Sequence, residues 1–263
     1  MLNKKALDDL YEKYNRREFV HPDPLEFLYN YEDIRDREIV GLVASSLAYG
    51  KVQQILKSVS SVLQRMQPSP YVFLNKASRD TLLSTFAGFK HRFTTEDDLT
   101  SMLLGIKEVI GRYGSLHACF AAGINDSDTT VLPAVSHFAK ELATGCSGMA
   151  NSLLPSPTKG SACKRYNLFL RWMVRKDEVD PGGWDFIPAS KLVIPLDTHM
   201  HRVCLALKLT KRKQADIRTA SEITAAFRTI SPDDPVRYDF ALTRFGIRNE
   251  SGMEDFLKSY DEQ

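Results

Sequence analysis

The sequence has few cysteines, and their spacing excludes several kinds of site. It contains four, and none of them forms the CxxC pair of a zinc site or the tight cluster that ligates an iron–sulfur centre. They are Cys119, Cys146, Cys163 and Cys204. We therefore expect buried free thiols in a reducing compartment, and we expect no metal ion and no other cofactor.

Long apolar runs are also missing. The amino-terminal sequence MLNKKALDDLYEKYNRR is charged and is followed by no apolar stretch. No later segment approaches the roughly 18 apolar residues that a membrane-spanning helix needs. These absences predict a cytoplasmic protein with no membrane anchor.

Acidic residues are missing from one stretch, although the net charge of the whole chain is only +2. Six basic residues occur between positions 159 and 176 with no acid among them: Lys159, Lys164, Arg165, Arg171, Arg175 and Lys176. A second basic run contains Lys208, Lys211, Arg212 and Lys213. Such runs are often solvated helix faces, but they also suit a phosphate backbone. The charge pattern alone leaves both interpretations open.

Alternating strand patterns are nearly absent, whereas the helical period recurs along the chain. It is clearest from Val52 to Met66 and from Leu99 to Tyr113, where apolar residues are three and four positions apart. Two segments, 39–49 and 168–174, are apolar almost all round, which predicts central helices. The sequence therefore predicts an all-α fold.

A turn rich in proline precedes the second of these central helices. Residues 154–161 read LPSPTKGS, and the helix is predicted to begin near Ala162. A small helix is expected before the turn. Together these elements predict a helix, a hairpin and a helix.

A helix start is predicted at Asp197. Beyond it Met200, Val203, Cys204 and Leu207 lie at helical spacing, so Asp197 is expected to be the N-cap. An N-cap carboxylate accepts free backbone N–H groups and contributes about 1 kcal/mol to stability. Taken alone, this structural role explains the residue.

The same segment resembles a family signature. The string PLDTHMHRVCLALKL is similar to the VDTHVxRVxxRLGL of the helix-hairpin-helix base-excision glycosylases, the superfamily of endonuclease III and the 8-oxoguanine glycosylases. Upstream, CKRYNLFL places Lys164 and Asn167 as in the family's GRKTANVVL. Residues 44–50 and 238–247 resemble two further helices in character, and the whole chain is similar to an uncharacterised bacterial family of this length.

The resemblance implies a fold and an activity. The fold would be two helical lobes, one of residues 37–196 with the hairpin and Lys164, the other of residues 1–36 plus 197–263. The activity would be that of a bifunctional DNA glycosylase and abasic-site lyase. Lys164 would attack the sugar and form a Schiff base, while Asp197 would stabilise the positive charge that develops there.

The resemblance also implies partners and further site residues. The partner would be double-stranded DNA containing a damaged base, with an oxidised purine as one candidate, and a monomer associated with the nucleoid is expected. Expected DNA contacts are Lys51, Lys159, Gly160, Ser161, Arg165, Arg171 and Arg202. Trp184 and His199 are expected in the base pocket. Lys164 and Asp197 are further apart than in the family, so residues 176–191 are predicted to be an inserted loop, a lid or a wall of the pocket.

Three other interpretations remain open. Asp197, His199 and His201 invite a metal-hydrolase hypothesis, although residues two apart on a helix point in divergent directions. A non-catalytic nucleic-acid binding protein could retain the same fold without the chemistry. A protein-interaction scaffold is the third alternative, and failure to bind DNA at any salt concentration would favour it.

Overall fold

The computed structural model describes residues 2–144, 151, 153–155 and 157–248, without the side chains of residues 159 and 245–248. Helix accounts for 61% of the residues that the structure describes and strand for 3%, which confirms the all-α class. The helices and strands are, in chain order, α1 (Lys4–Tyr14), α2 (Ile34–Ser46), α3 (Val52–Arg65), α4 (Pro70–Lys76), α5 (Arg79–Thr85), β1 (Lys90–His91), β2 (Thr94–Thr95), α6 (Glu96–Tyr113), α7 (Leu116–Ala121), α8 (Leu132–Ala143), α9 (Lys164–Val174), α10 (Thr198–Ala206), α11 (Ile217–Arg228) and α12 (Asp239–Arg248). Short 3-10 helices occur at Arg17–Phe19, Pro24–Asn30, Pro157–Lys159 and Ala189–Lys191.

The described residues form two compact units. The first is drawn from Met1–Val20, Thr129–Val131 and Gly160–Gln263, and the second from His21–Asp128 and Leu132–Lys159. This differs from the predicted division at 36/37 and 196/197, because Lys164 and Asp197 both belong to the first unit. The physical reason is that α12 packs on α10 and is joined to α9 by a buried ion pair, so these three helices share one core.

In the first unit α12 packs against α1 and α10. Leu7, Leu10 and Tyr14 of α1 are buried, and the hydroxyl of Tyr238 donates to Asp8 at 2.7 Å. This hydrogen bond ties the amino-terminal helix to the residue that precedes α12. The first unit is therefore built from both ends of the described chain.

In the second unit α6 is central and packs against α5, α7 and α8. A glycine is required at one crossing, since a Cβ on Gly105 would lie 2.0 Å from the carbonyl oxygen of Leu142. Glu38 of the buried helix α2 accepts the N–H groups of Leu116 and His117 at 2.8 and 3.0 Å. That carboxylate therefore caps α7 from inside the core.

Several sequence predictions are confirmed here. The helical periods from Val52 and from Leu99 correspond to α3 and α6. Cys119, Cys163 and Cys204 are buried free thiols, whereas Cys146 lies outside the described residues. The small helix expected before the hairpin lies partly outside them too. Among the described helices, none has the length and apolar character needed to cross a membrane.

Candidate functional site

Asp197 lies between a buried extended segment and α10. Residues 192–196 are buried, and Asp197 continues their extended backbone before the helix begins at Thr198. Its Oδ1 accepts the backbone N–H of Met200 at 2.8 Å. The predicted N-cap is therefore confirmed, and it leaves the second carboxylate oxygen available for another partner.

Lys164 is the first residue of α9. The turn before it has Cys163 in the left-handed region, with φ of 49°, and the Ser161 hydroxyl accepts the N–H of Cys163 at 3.1 Å. The side-chain amide of Asn167, buried one turn into α9, donates to the carbonyl of Ala162 at 3.0 Å. These two hydrogen bonds fix the turn from which the Lys164 side chain extends.

The two candidate catalytic residues are brought together. The Nζ of Lys164 lies 3.0 Å from Oδ2 of Asp197, and each side chain is 30% exposed. Both residues belong to the first turns of their helices, where backbone N–H groups have no helical partners. The pair is thus a partly buried ion pair that solvent still reaches.

The charges around Asp197 favour its ionised form. Burial raises the pKa of Asp197, but the Lys164 ammonium, the Met200 N–H group and the charge of His199 together outweigh burial and bring the pKa below its usual value. Asp197 is therefore a carboxylate at neutral pH. His199, a predicted base-pocket residue, is half-buried and lies close enough for its charge to act on Asp197.

A buried ionic network lies in the same unit, and the sequence patterns did not reveal it. Arg171 of α9 donates to Asp239 at the start of α12 and, at 3.2 Å, to Asp180. Arg175 extends the network by pairing with Asp180, Asp177 and Asp234. In the sequence, the one sign of this network is Asp239, the single acidic residue in the otherwise mostly apolar segment 239–248.

The network is connected electrostatically to the candidate site. Burial raises the pKa of Asp239, Arg171 lowers it, and the negative charges of Asp197 and Asp180 raise it, with a net value of about 6. Burial likewise raises the pKa of Asp180 despite its two arginines. The negative charge on Asp197 therefore favours the protonated form of the buried Asp239.

Arg171 was predicted to contact DNA, and its position excludes that role. It is 3% exposed, and its guanidinium is engaged by Asp180 and Asp239. A buried guanidinium needs such partners because an unpaired buried charge is costly. The basic run from 159 to 176 is therefore not one solvated face.

Trp184 was predicted to lie in the base pocket, and it is also buried. It is 0% exposed, and its ring meets Phe169 edge to face with centroids 5.0 Å apart. The backbone N–H of Trp184 donates to the carbonyl of Met173 at 2.8 Å, and the backbone N–H of Gly182 donates to the carbonyl of Trp172 at 3.0 Å. Within the segment 176–191, the stretch from Gly182 to Trp184 therefore packs on α9 as part of the core. The Trp184 ring has no exposed face on which a base could stack.

The remaining predicted DNA contacts differ in exposure. Arg202 is exposed, and Arg165 is partly exposed. Lys51, in the second unit, is exposed and immediately precedes α3. The side chain of Lys159 lies outside the described part of the chain.

The two residues that follow Lys159 in the hairpin form backbone contacts. Gly160 has a φ of +79° and open space around its α-carbon, and its carbonyl accepts from Ile217 at 3.3 Å. Ser161 forms a backbone bridge with Asp216. The hairpin is therefore tied by its backbone to the start of α11.

The histidine pair of the metal hypothesis is divided between two environments. His201 is buried, and its Nε2 lies 2.8 Å from the carbonyl oxygen of Arg212, which can only accept. That nitrogen therefore carries a proton and cannot bind a metal ion in this arrangement. No group of three potential ligands occurs among the residues that the structure describes.

Comparison with known proteins gives a family for the chain. No curated protein and no solved structure matched it. One family matched residues 23–248, a range that includes Lys164, Asp197 and the buried network. The chain belongs to this family, which is described as a protein of unknown function, DUF2400.

Proposed function

We propose that this protein is a DNA glycosylase with abasic-site lyase activity, in which Lys164 is the nucleophile and Asp197 its carboxylate partner. One observation carries the proposal, the 3.0 Å separation between Nζ of Lys164 and Oδ2 of Asp197. Both side chains are partly exposed, so a sugar could reach them. The resemblance of the two motifs to helix-hairpin-helix glycosylases supports the same roles and the same fold.

The first step requires a neutral amine. Asp197 lies within hydrogen-bonding distance of Nζ and can pass the ammonium proton on to the solvent that reaches the pair, so that Asp197 is ionised again before the sugar reacts. The amine then attacks C1′ of the target nucleotide, the C1′–N bond breaks, and its electron pair leaves with the base, which takes up a proton. The Asp197 carboxylate stabilises the positive charge that develops on the sugar.

The second step cleaves the strand. Opening of the sugar ring gives a Schiff base between C1′ and Nζ. This cation acidifies C2′, and loss of the C2′ proton expels the 3′ phosphate as the C3′–O bond breaks. No oxidant or reductant is consumed, and water releases the lysine at the end.

The substrate class follows from this chemistry and from the resemblance. We propose double-stranded DNA with a damaged base, since a damaged pair reduces the cost of turning the base out of the stack. An oxidised purine is the first lesion to test. Arg165 and Arg202, near the pair in sequence and accessible to solvent, are the candidate phosphate contacts of this unit.

Borohydride trapping tests the proposal, because reduction converts a Schiff base into a permanent crosslink. The panel contains duplexes with an abasic site, 8-oxoguanine, uracil or an oxidised pyrimidine. Wild type is expected to be trapped on the abasic duplex and on one lesion class. Lys164→Gln is expected to lose the crosslink, while the matched control Lys213→Gln, an exposed lysine of the same unit, retains it.

A second candidate function is favoured by the same ion pair. Asp197 caps α10 and neutralises Lys164, so both residues have sufficient structural reasons to be present. A non-catalytic DNA-binding protein with this fold would retain salt-sensitive DNA binding. It would give no trapping and no base release on any duplex, and that result would overturn the lyase mechanism.

A further inference from the structure

A basic groove, lined by Lys57 and Arg65 of α3 and by Lys90 and Arg92 of the β1–β2 hairpin, lies within the second unit. Its volume is about 450 Å³, and the hydroxyls of Ser58 and Ser61 also line it. No sequence pattern indicates this groove, because its cations come from two separated segments. We call it the α3–hairpin groove.

The four cations of the α3–hairpin groove are available to a ligand. All four side chains are exposed, and none forms an ion pair with another residue in the described part of the chain. Arg65 donates one N–H to the carbonyl of Thr85 at 3.1 Å. No acidic residue lines the groove. The adjacent Glu96 is engaged by the backbone N–H of Gly88.

One buried histidine fixes the two walls of the groove to each other. His91 is 2% exposed, and its Nε2 lies 3.0 Å from the carbonyl oxygen of Tyr49. A carbonyl only accepts, so Nε2 carries the proton, and in the neutral ring Nδ1 accepts from the Ser58 hydroxyl at 2.9 Å. Burial lowers the pKa of His91, and the charge of Arg92 lowers it further against two backbone hydrogen bonds.

The hairpin is fixed at a second point. The hydroxyl of Tyr49 donates to the carbonyl of His91 at 2.8 Å and lies 2.6 Å from the hydroxyl of Thr94. His91 and Thr94 are partners in the β1–β2 ladder. Because both walls are held in this way, the backbone that carries the cations is positioned before any ligand arrives, which lowers the entropic cost of binding.

We propose that the α3–hairpin groove binds the phosphate backbone of a nucleic acid. Lysine, arginine and serine groups are the usual donors to phosphate oxygens, and four unpaired cations exceed what a single phosphate requires. All four cationic side chains are exposed, so a polymer in solution can reach them. The inference deepens the proposed function by naming a backbone contact for the same class of substrate, and it is tested independently of the Lys164 chemistry.

Charge reversal with matched controls tests the groove. Lys57→Glu/Lys90→Glu changes one cation on each wall, and Lys76→Glu/Lys140→Glu makes the same charge change at exposed lysines of this unit outside the groove. Binding of a labelled undamaged duplex is measured by anisotropy from about 50 to about 200 mM salt. The groove variant is expected to bind at least about tenfold more weakly and to reduce the salt slope by about two.

The control variant is expected to retain the wild-type salt slope. Equal losses in the two variants would overturn the proposal, because net charge alone would then explain binding. Binding of inorganic pyrophosphate that depends on the groove, with no groove-dependent DNA binding, would also overturn it in favour of a small-anion site. Arg65→Glu/Arg92→Glu provides the same test if the first variant does not fold.

Failure of the groove and failure of the lyase mechanism give different results. Lys164→Gln tests the chemistry and is assessed by trapping, whereas the groove variants are assessed by their binding of the undamaged duplex. Groove-dependent binding of the duplex, with no borohydride trapping, would support the groove proposal and overturn the lyase mechanism. Trapping by a groove variant that has lost no duplex affinity would support the lyase mechanism and overturn the groove proposal.

Discussion

Nζ of Lys164 lies 3.0 Å from Oδ2 of Asp197, while Oδ1 of the same carboxylate accepts the N–H of Met200 at 2.8 Å. One side chain thus caps a helix with one oxygen and holds the candidate nucleophile with the other. The structural role and the proposed catalytic role are compatible. A test therefore needs one variant that removes the charge but keeps the helix cap and another that removes both.

Asp197→Asn and Asp197→Ala separate these two roles. Asparagine caps a helix about as well as aspartate, and a partly exposed ion pair contributes only about 0–1 kcal/mol, so Asp197→Asn should lower the free energy of unfolding by less than about 1 kcal/mol. Alanine also removes the cap, which should cost about 1 kcal/mol more. Urea denaturation measures both. Equal costs for the two variants would contradict the assignment of the cap.

Substitution of Arg171 should destabilise the protein without a specific effect on DNA binding. Arg171→Leu leaves the buried carboxylate of Asp239 without its cation and leaves Asp180 with Arg175 alone, and breaking such a buried pair costs about 3–5 kcal/mol. The exposed Arg202 is the control, and Arg202→Gln should change the free energy of unfolding by no more than about 0.5 kcal/mol. Denaturant unfolding compares them. A small cost for Arg171→Leu would show that the network is not buried in solution.

Asp239 should make stability depend on pH in an unusual direction. Its pKa is about 6 in the folded protein, against an ordinary value of 3.8 for an aspartate. The folded state therefore holds more protons between these values, and the free energy of unfolding should fall as pH rises from about 4 to about 6. Carboxyl-carbon NMR should give a midpoint near 6 for Asp239. Asp239→Asn should lose this part of the pH dependence, and a midpoint at or below the ordinary aspartate value would contradict the prediction.

Both tryptophans should be shielded from solvent and from DNA. Trp172 and Trp184 are the only two in the chain, and each is 0% exposed. Acrylamide should therefore quench the native fluorescence far less than that of the urea-unfolded chain. Addition of duplex DNA should leave the emission unchanged, since neither ring can stack on a base. Strong quenching by DNA would reinstate Trp184 as a base-pocket residue.

The sequence predicted local features of the site because local rules determine them. Helical spacing after Asp197 located its N-cap, and the resemblance located Lys164 at the start of a helix. Both depend on residues close in sequence to the position in question. The 3.0 Å contact between the two is a tertiary feature, and spacing along the chain did not determine it.

The errors concern residues whose environment depends on distant partners. Arg171 looked like part of a basic face because its partners lie further along the chain. Asp180 follows it by 9 residues and Asp239 by 68. Trp184 lay in a segment predicted to be an inserted loop, but its backbone N–H is bound to α9. The α3–hairpin groove went unnoticed for the same reason, since Lys57 and Lys90 converge only in the fold.

Mapping the borohydride-reduced crosslink by mass spectrometry tests the central claim most directly. The protein is trapped on an abasic duplex, digested with nuclease and protease, and searched for the lysine that carries the residual sugar adduct. We predict a single modified residue, Lys164. A crosslink carried by another lysine, or spread over the exposed lysines of both units, would contradict the assignment of the nucleophile.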